Sequence, residues 1–415
     1  MNKRFILCLL GIVLVIGLGF GIFKLFQKEE KTIEPGEPVI TNDGDFNSNF
    51  IKKVHQKSNY LISPYSMEIA LNMLKDGANG ETKEEIEKVV GNRDIKNLSV
   101  KDKVGVANAA FVKNSYKNIV QDYYYKKLKE KYNADILYDE FSEPTVINNW
   151  VEEKTNGMIK KVLDEMNPYF AIGLANAVAL DVKWLSPFEC IATTSEPFTK
   201  YDGSKMDTEM MHNTFKQSYY KYFENDDVEG VVIPYEKFEN SDVELEFVGM
   251  LPKKDVDSFI NNLTTEKLQN IDKDARSAGM DYNISLSLPR FSYEYSVENL
   301  IDVLKNMGIE KAFDSTGADF SNIFDMTATK ENFYVDTAVH KAIIELNENG
   351  TKAAAVTFFS VVGNALVREE PEIKEIAFNK PFTYMIRDSK TKEIIFFGSV
   401  YEPNKWEKST CSNEM

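Results

Sequence analysis

The chain has 415 residues, enough for a large hydrophobic core or for two or three domains. With 43% hydrophobic and 27% charged residues it has an ordinary globular composition, which excludes extensive disorder. The net charge of −16 argues against a nucleic-acid-binding protein, because such a protein needs a basic face. We therefore expect no nucleic-acid partner.

The first predicted element is an apolar segment at the N-terminus. Lys3 and Arg4 precede the uncharged residues 5–23, close to the roughly 20 residues that a membrane-spanning helix needs. The positive end favours an orientation that places the rest of the chain outside the cell. A secretory signal peptide is the alternative, although its apolar core is usually shorter. We expect residues 1–24 to be a membrane anchor or signal sequence and 25–45 a charged linker, with the protein on the extracellular face of the membrane or secreted.

Residues 46–405 read as one continuous domain without repeats, and 406–415 as a polar tail. The predicted helices lie at 64–76, 82–90, 119–132, 145–156 and 296–307. The predicted strands lie at 106–112, 174–183, 229–235, 243–251, 282–288, 333–346, 381–387 and 393–401. Thr82 with Glu85 fits a capping box for the second helix. Helices early and mainly antiparallel strands late predict an α+β fold.

The cysteines and histidines give little support for a metal site or a disulfide. Only three cysteines and three widely separated histidines occur, and no Cys-x-x-Cys or Cys/His cluster is present, so we expect no metal site. A Cys190–Cys411 disulfide is allowed by the count but poorly supported.

One late segment does not fit the order of predicted strands. Residues 353–362 have the small and β-prone side chains of a strand, yet they lie between two strands that are already long. An acidic, glycine-containing hinge precedes them. This arrangement indicates a strand that can be inserted later, although an Ala-rich run taken alone favours a helix or an ordinary buried strand.

Several separated motifs resemble those of the serpin family, in the same order and over about 340 residues of the chain. Examples are Ser-Pro-Tyr-Ser at 63–66, Leu-Pro-Arg-Phe at 288–291 and His-Lys-Ala at 340–342. The full set of matching segments is 59–66, 74–82, 176–184, 210–212, 288–291, 340–342, 378–382 and 396–398. Each motif alone is weak, and their number and order carry the resemblance.

The resemblance implies three β-sheets with eight or nine helices and an exposed reactive loop over about 348–376. It implies a monomeric inhibitor without a cofactor, not an enzyme. A serine or cysteine protease attacks the loop and forms an acyl-enzyme, and the cleaved loop then inserts into the central sheet and traps the protease. Insertion of about 14 residues spans roughly 45–50 Å.

Two other function classes remain open beside the inhibitor. A non-inhibitory serpin-like binding or adhesion module would be cleaved without trapping the protease. An enzyme is disfavoured, because no nucleophile motif, paired carboxylates or phosphate loop stands out.

The hinge residues fit rapid insertion into a sheet. Gly350 gives the backbone freedom, and Thr351, Ala353, Ala355 and Thr357 alternate onto the face that we expect to be buried. None of the four side chains carries a charge that burial would desolvate. Non-inhibitory relatives typically carry charged, bulky or proline residues here, so this hinge favours an inhibitor.

Two loop residues depart from the family pattern. Lys352 replaces the usual glutamate, but alternation places it on the solvent face, where a cation costs little. Phe359 is expected to face inward, where its bulk would slow the later part of insertion.

Three peptide bonds are candidates for cleavage by the protease. Counting 14 residues from Gly350 gives the bond Asn364–Ala365, which suits an asparagine-preferring or permissive protease. Arg368–Glu369 would suit a trypsin-like pocket. Leu366–Val367 would suit a chymotrypsin- or subtilisin-like pocket.

The resemblance also implies a switch that holds the central sheet closed. Its parts are a polar shutter under the sheet and a breach at the top of the sheet, where Glu348 of the hinge meets a basic residue. The residues at the matching positions are Ser63, Ser66, Asn176 and His340 for the shutter and Trp184 and Arg290 for the breach. The plainer interpretations are a helix cap for the serines, a satisfied polar pair for Asn176 and His340, and core packing for Trp184. A solvent-exposed Glu348–Arg290 pair would contribute only about 0–1 kcal/mol.

Overall fold

The structure is a computed structural model that describes residues 45–279, 282–351 and 372–403. These ranges contain eight α-helices and eighteen strands. The helices are α1 (Phe46–Val54), α2 (Pro64–Gly77), α3 (Gly80–Val90), α4 (Asp122–Tyr132), α5 (Thr145–Lys154), α6 (Val256–Asn261), α7 (Thr265–Gln269) and α8 (Leu300–Met307). The strands are β1 (Tyr60–Ile62), β2 (Val104–Lys113), β3 (Asp135–Asp139), β4 (Ile172–Leu180), β5 (Val182–Lys183), β6 (Thr194–Thr199), β7 (Lys205–Phe215), β8 (Lys221–Glu224), β9 (Val228–Pro234), β10 (Leu245–Pro252), β11 (Arg276–Ser277), β12 (Tyr282–Pro289), β13 (Phe291–Ser296), β14 (Lys341–Asn347), β15 (Gly350–Thr351), β16 (Glu372–Ala377), β17 (Phe382–Asp388) and β18 (Ile394–Val400).

The N-terminal anchor, the linker and the C-terminal tail that the sequence predicts lie outside the described residues. Among the helices of the described part, none combines the length and the hydropathy that crossing a membrane requires.

Helix α2 begins as the sequence predicts. Pro64 occupies its first turn, and the Ser63 side chain accepts a hydrogen bond from the N–H of Ser66 at 3.1 Å. Most of its residues are buried, and the predicted helix over 64–76 is confirmed.

The capping box predicted for the next helix is wrong. Helix α3 begins at Gly80, so Thr82 and Glu85 lie inside it rather than at its first residue. Both side chains have tertiary partners instead. The Thr82 hydroxyl accepts from the N–H of Asp319, and the Glu85 carboxylate accepts from the N–H groups of residues 310 and 311.

The largest sheet has seven strands in the order β1-β18-β17-β10-β9-β8-β11, and all of its pairs are antiparallel. Every residue of β10, β17 and β18 is buried. The central strands of this sheet therefore lie in the hydrophobic core.

A second sheet has four strands in the order β16-β12-β7-β6. Its strand β16 follows directly after residues 352–371 and pairs in parallel with β12 over six positions, from Tyr282–Glu372 to Ser287–Ala377. The far end of the predicted reactive loop is thus fixed to β12.

The third sheet is divided between the ladders β3-β2-β4 and β13-β14-β15-β5. Strand β4 continues into β5 after the single residue Asp181, so the two ladders belong to one sheet and are joined where β4 meets β5. Below this point β4 pairs only with β2, because its other edge carries no strand among the described residues. The α+β fold with three sheets is confirmed in this form.

The strand predicted over 333–346 begins only at Lys341, and residues 331–340 form no strand. The reason is the lack of a partner. The ladder between β14 and β13 ends at the pair Lys341–Ser296, and one further backbone bond joins Val297 to His340. A β-prone sequence without a neighbouring edge cannot form a ladder.

A cavity of about 710 Å³ occupies this part of the fold. It is lined by residues 171–178 of the β4 region, by residues 331–342, and by side chains of α2 and α5. The third sheet is therefore open between residues 171–178 and residues 331–342, and a further strand could pair with both segments.

Candidate functional site

The first residues of the predicted loop already belong to the third sheet. Gly350 and Thr351 pair with Asn347 and Leu346 of β14 on one side. On the other side the same two residues pair with β5. Thr351 is only 3% exposed, so its side chain points into the core.

Gly350 has no room for a side chain. Its φ angle is +150°, and a Cβ at this position would lie 2.1 Å from the carbonyl oxygen of Val182. Only glycine can therefore place the hinge this close to β5.

Trp184 contacts the hinge through two hydrogen bonds. Its indole N–H donates to the carbonyl of Asn347 at 2.9 Å, and its backbone N–H donates to the carbonyl of Asn349 at 2.9 Å. The ring is buried and stacks on Tyr235 with 4.6 Å between centroids. Trp184 thus packs in the core and also holds the hinge turn, so the two interpretations of this residue are compatible.

Tyr235 is a hinge contact that the sequence did not reveal. Its hydroxyl lies 2.7 Å from the Thr351 hydroxyl, and both groups are buried. The two residues are 116 positions apart in the chain, and Tyr235 belongs to none of the motifs that drew attention to the hinge.

Glu348 is fully buried rather than solvent-exposed. Its carboxylate accepts from Arg290 at 3.2 Å and from the Thr193 hydroxyl at 2.8 Å. Arg290 also forms an ion pair with Glu209. Removing one partner from a buried pair costs about 3–5 kcal/mol, so the figure for an exposed bridge does not apply here.

Burial lowers the pKa of Arg290 from its ordinary value, and the adjacent Glu348 carboxylate opposes that shift. Thr193 and Glu209 were not predicted, because they come from distant segments. Thr193 directly precedes β6, and Glu209 lies in β7 of the neighbouring sheet.

The shutter residues form a smaller cluster than the sequence suggests. The N–H of Ser63 donates to Nε2 of His340 at 2.9 Å, and Ser66 donates to the Ser63 hydroxyl. Burial lowers the pKa of His340 to about 4, so the imidazole is neutral at pH 7. The three residues link the start of α2 to the start of β14.

Asn176 does not belong to this cluster. Its amide donates to the Oδ1 of Asn108 at 2.7 Å, and its own Oδ1 is buried without a hydrogen-bond partner among the described residues. The expected Asn176–His340 polar pair is not formed, because Asn176 bonds to Asn108 and His340 bonds to Ser63. Both residues, with Ser63 and Ser66, line the cavity.

The remaining predicted site residues lie outside the described part of the chain. They are Ala353, Ala355 and Thr357 of the hinge, Asn364, Ala365, Leu366 and Arg368 around the cleaved bond, and Cys411 of the suggested disulfide.

The described part of this site is suited to holding and accepting a strand. Its side chains are paired or packed against the hinge, and backbone edges are free beside the cavity. No group of three or more His, Cys, Asp or Glu side chains that could hold a metal ion occurs within the described ranges.

Comparisons with known proteins agree with this architecture. Residues 41–403 match the family model described as Serpin (serine protease inhibitor). An uncharacterized serpin-like protein of Thermococcus kodakarensis is 32% identical over 395 residues, which cover 88% of this chain and 86% of that protein. The leukocyte elastase inhibitor of Xenopus tropicalis is 27% identical, with coverages of 86% and 97%.

Among solved structures, the thermophilic serpin tengpin in its native state superimposes with a TM-score of 0.74 at 31% identity. The match covers 87% of this chain and 93% of that chain.

Proposed function

Because the chain belongs to the serpin family, we propose that it is a suicide inhibitor of an extracellular serine or cysteine protease. The observation that carries the proposal is the hinge: Gly350 and Thr351 pair with strands on both sides, directly above an open stretch of the same sheet. The protease would cleave the loop and form an acyl-enzyme. Insertion of the rest of the loop would then distort the protease before it is released.

The strand register supports this path for the loop. Thr351 pairs with Leu346 and Val182, so a continued antiparallel ladder would place Thr357, six residues further, opposite His340 and Asn176. Both shutter residues line the cavity, and the Oδ1 of Asn176 is buried without a hydrogen-bond partner among the described residues.

The extent of the cavity supports the same register. Residues 355–366 would lie opposite 331–342 on one side and 167–178 on the other. Both segments line the cavity over nearly their whole length. On the side of residues 331–342 the lined segment ends opposite residue 366, which favours Asn364–Ala365 or Leu366–Val367 as the cleaved bond. On the other side Glu165, which would lie opposite Arg368, also lines the cavity, so Arg368–Glu369 stays open as the third position.

The wider setting of the proposal comes from the sequence. The apolar residues 5–23 support an anchor that holds the inhibitor at the extracellular face of the membrane, or a signal for its secretion. We propose that it acts as a monomer, needs no cofactor and catalyses no reaction of its own, since the trap uses only its loop and its sheet.

The test is a screen of the purified protein against trypsin-, subtilisin-, elastase- and papain-type proteases. We expect a complex with one class that survives SDS, and mass spectrometry of the released C-terminal fragment then identifies the cleaved bond. Cleavage of the loop by every active protease without a stable complex would overturn the proposal and leave a non-inhibitory binding module.

A further inference from the structure

Two buried hydroxyl groups meet where the hinge enters the sheet. Tyr235 is 2% exposed and Thr351 3% exposed, and their oxygens are 2.7 Å apart. Burial raises the pKa of the Tyr235 hydroxyl, so the side chain stays protonated and able to donate. Within the described residues, each of these hydroxyls has the other as its hydrogen-bond partner.

This pairing makes each group depend on the other. If the hinge leaves the sheet, Thr351 gains water, but the Tyr235 hydroxyl stays in the core and loses its partner. A buried hydroxyl without a partner is unfavourable, so the bond favours the inserted hinge.

The ring of Tyr235 is itself fixed. It stacks on Trp184 at an interplanar angle of 10°, and Trp184 holds the carbonyls of Asn347 and Asn349 on either side of Glu348. The tyrosine hydroxyl is thereby aimed at the position that Thr351 occupies.

We propose that Tyr235 is a positioning residue for the hinge, and that its hydroxyl holds Gly350 and Thr351 in the third sheet before any protease is bound. Insertion then starts from a strand end that is already paired. Fewer residues remain to be inserted before the acyl-enzyme is hydrolysed and the protease is released. The effect on trapping rests on the proposed function, whereas the position of the hinge in the free protein does not.

The experiment uses the full chain and three variants: Tyr235→Phe, Thr351→Val and the double variant. Hydrogen exchange followed by mass spectrometry measures protection of the backbone amides of residues 346–351. The control Tyr124→Phe removes another buried hydroxyl, which donates to the carbonyl of Met73 at 3.0 Å and belongs to α4. Exchange in β10, in a different sheet, reports any global loss of stability.

We expect hinge exchange to rise on the order of tenfold in Tyr235→Phe, because the Thr351 hydroxyl is then unpaired while the hinge is in the sheet and hydrated when the hinge leaves it. Exchange should also rise in Thr351→Val, because the Tyr235 hydroxyl is then unpaired in both states and no longer favours the inserted hinge. The double variant should exchange more slowly than Tyr235→Phe, because no unpaired hydroxyl is left in the sheet. Tyr124→Phe should leave the hinge unchanged. Equal exchange in Tyr235→Phe and wild type, or a double variant at least as fast as Tyr235→Phe, would overturn the inference.

A second readout separates the inference from the proposed function. With a protease that the wild type traps, Tyr235→Phe should raise the number of inhibitor molecules consumed per protease, while the association rate stays the same. An increase in the double variant equal to that of Tyr235→Phe would contradict the positioning role. If no protease is ever trapped but the exchange pattern holds, the proposed function fails and the positioning role stands.

Discussion

At the scale of single residues, His340 couples the shutter to pH. Its neutral ring accepts the N–H of Ser63, and burial lowers its pKa from 6.5 to about 4. The unfolded chain binds a proton near pH 6.5, whereas the folded chain does not until about pH 4. The stabilising contribution is therefore complete above pH 6.5 and is lost as the pH falls towards 4.

This difference predicts that His340 makes the fold about 3 kcal/mol less stable at pH 4 than at pH 7. Denaturant unfolding of wild type and His340→Gln across this range measures it. Carboxylates titrate in both proteins, so the comparison between them isolates the histidine. We expect a shallower pH dependence in the variant, and identical slopes would contradict the assignment.

Thr351 gives a sharper test of the insertion path, because its side chain is buried beside Tyr235. Thr351→Arg would force a cation into that position, so the variant should be cleaved as a substrate with little complex formed. Lys352→Arg is the matched control, since the sequence alternation leads us to expect residue 352 on the solvent face and the charge is unchanged. An SDS gel after reaction with the target protease compares them, and equal trapping by both variants would rule out this register.

At the scale of elements, the described segments before and after residues 352–371 both have partners at or next to β12. Strand β12 pairs with β16 after the loop, and Arg290, directly after β12, binds Glu348 before it.

Glu348→Ala should release the near end of the loop. It leaves Arg290 with only part of its buried charge compensated, by Glu209, so we expect a loss of about 3 kcal/mol in unfolding free energy. Glu345→Ala, at a partly exposed position of β14 just before the turn that holds Glu348, is the control and should change stability little. Denaturant unfolding measures both, and equal effects would show that the buried pair contributes nothing special.

Local sequence patterns predicted the elements whose partners are close or whose caps are strong. Helix α2 is an example, since Pro64, the Ser63 cap and the buried face all lie within the helix. The sequence could not show that residues 333–340 form no strand. Their pattern is β-prone, and what they lack is a neighbouring strand edge to pair with. Strands β6 and β7 were missed for a related reason: they are half-exposed and depend on pairing with distant segments, β6 with β7 and β7 also with β12.

The site divides in the same way. The hinge glycine and the breach tryptophan could be predicted because short motifs surround them. Tyr235, Thr193 and Glu209 could not, since each reaches the hinge from a distant segment. The pairing of Asn176 with Asn108 rather than with His340 could not be predicted either, since Asn108 is 68 positions away in the chain.

At the scale of the whole molecule, the third sheet has a gap next to the point where its next strand begins. The seven-stranded sheet is buried at its central strands. Among the described residues, the two ladders of the third sheet are joined only near β5 and β15, and they border a cavity of about 710 Å³. Filling that cavity with a strand would bury apolar side chains and satisfy free backbone groups. The uncleaved fold is therefore expected to be less stable than the cleaved one.

Thermal unfolding before and after cleavage of the loop tests this claim most directly. A protease that cuts anywhere in residues 364–368 without being trapped is sufficient, and Thr351→Arg serves as the variant that cannot insert. We expect cleavage to raise the Tm of the wild type by roughly 10 °C or more and to leave that of Thr351→Arg nearly unchanged. An unchanged Tm in the cleaved wild type would contradict it.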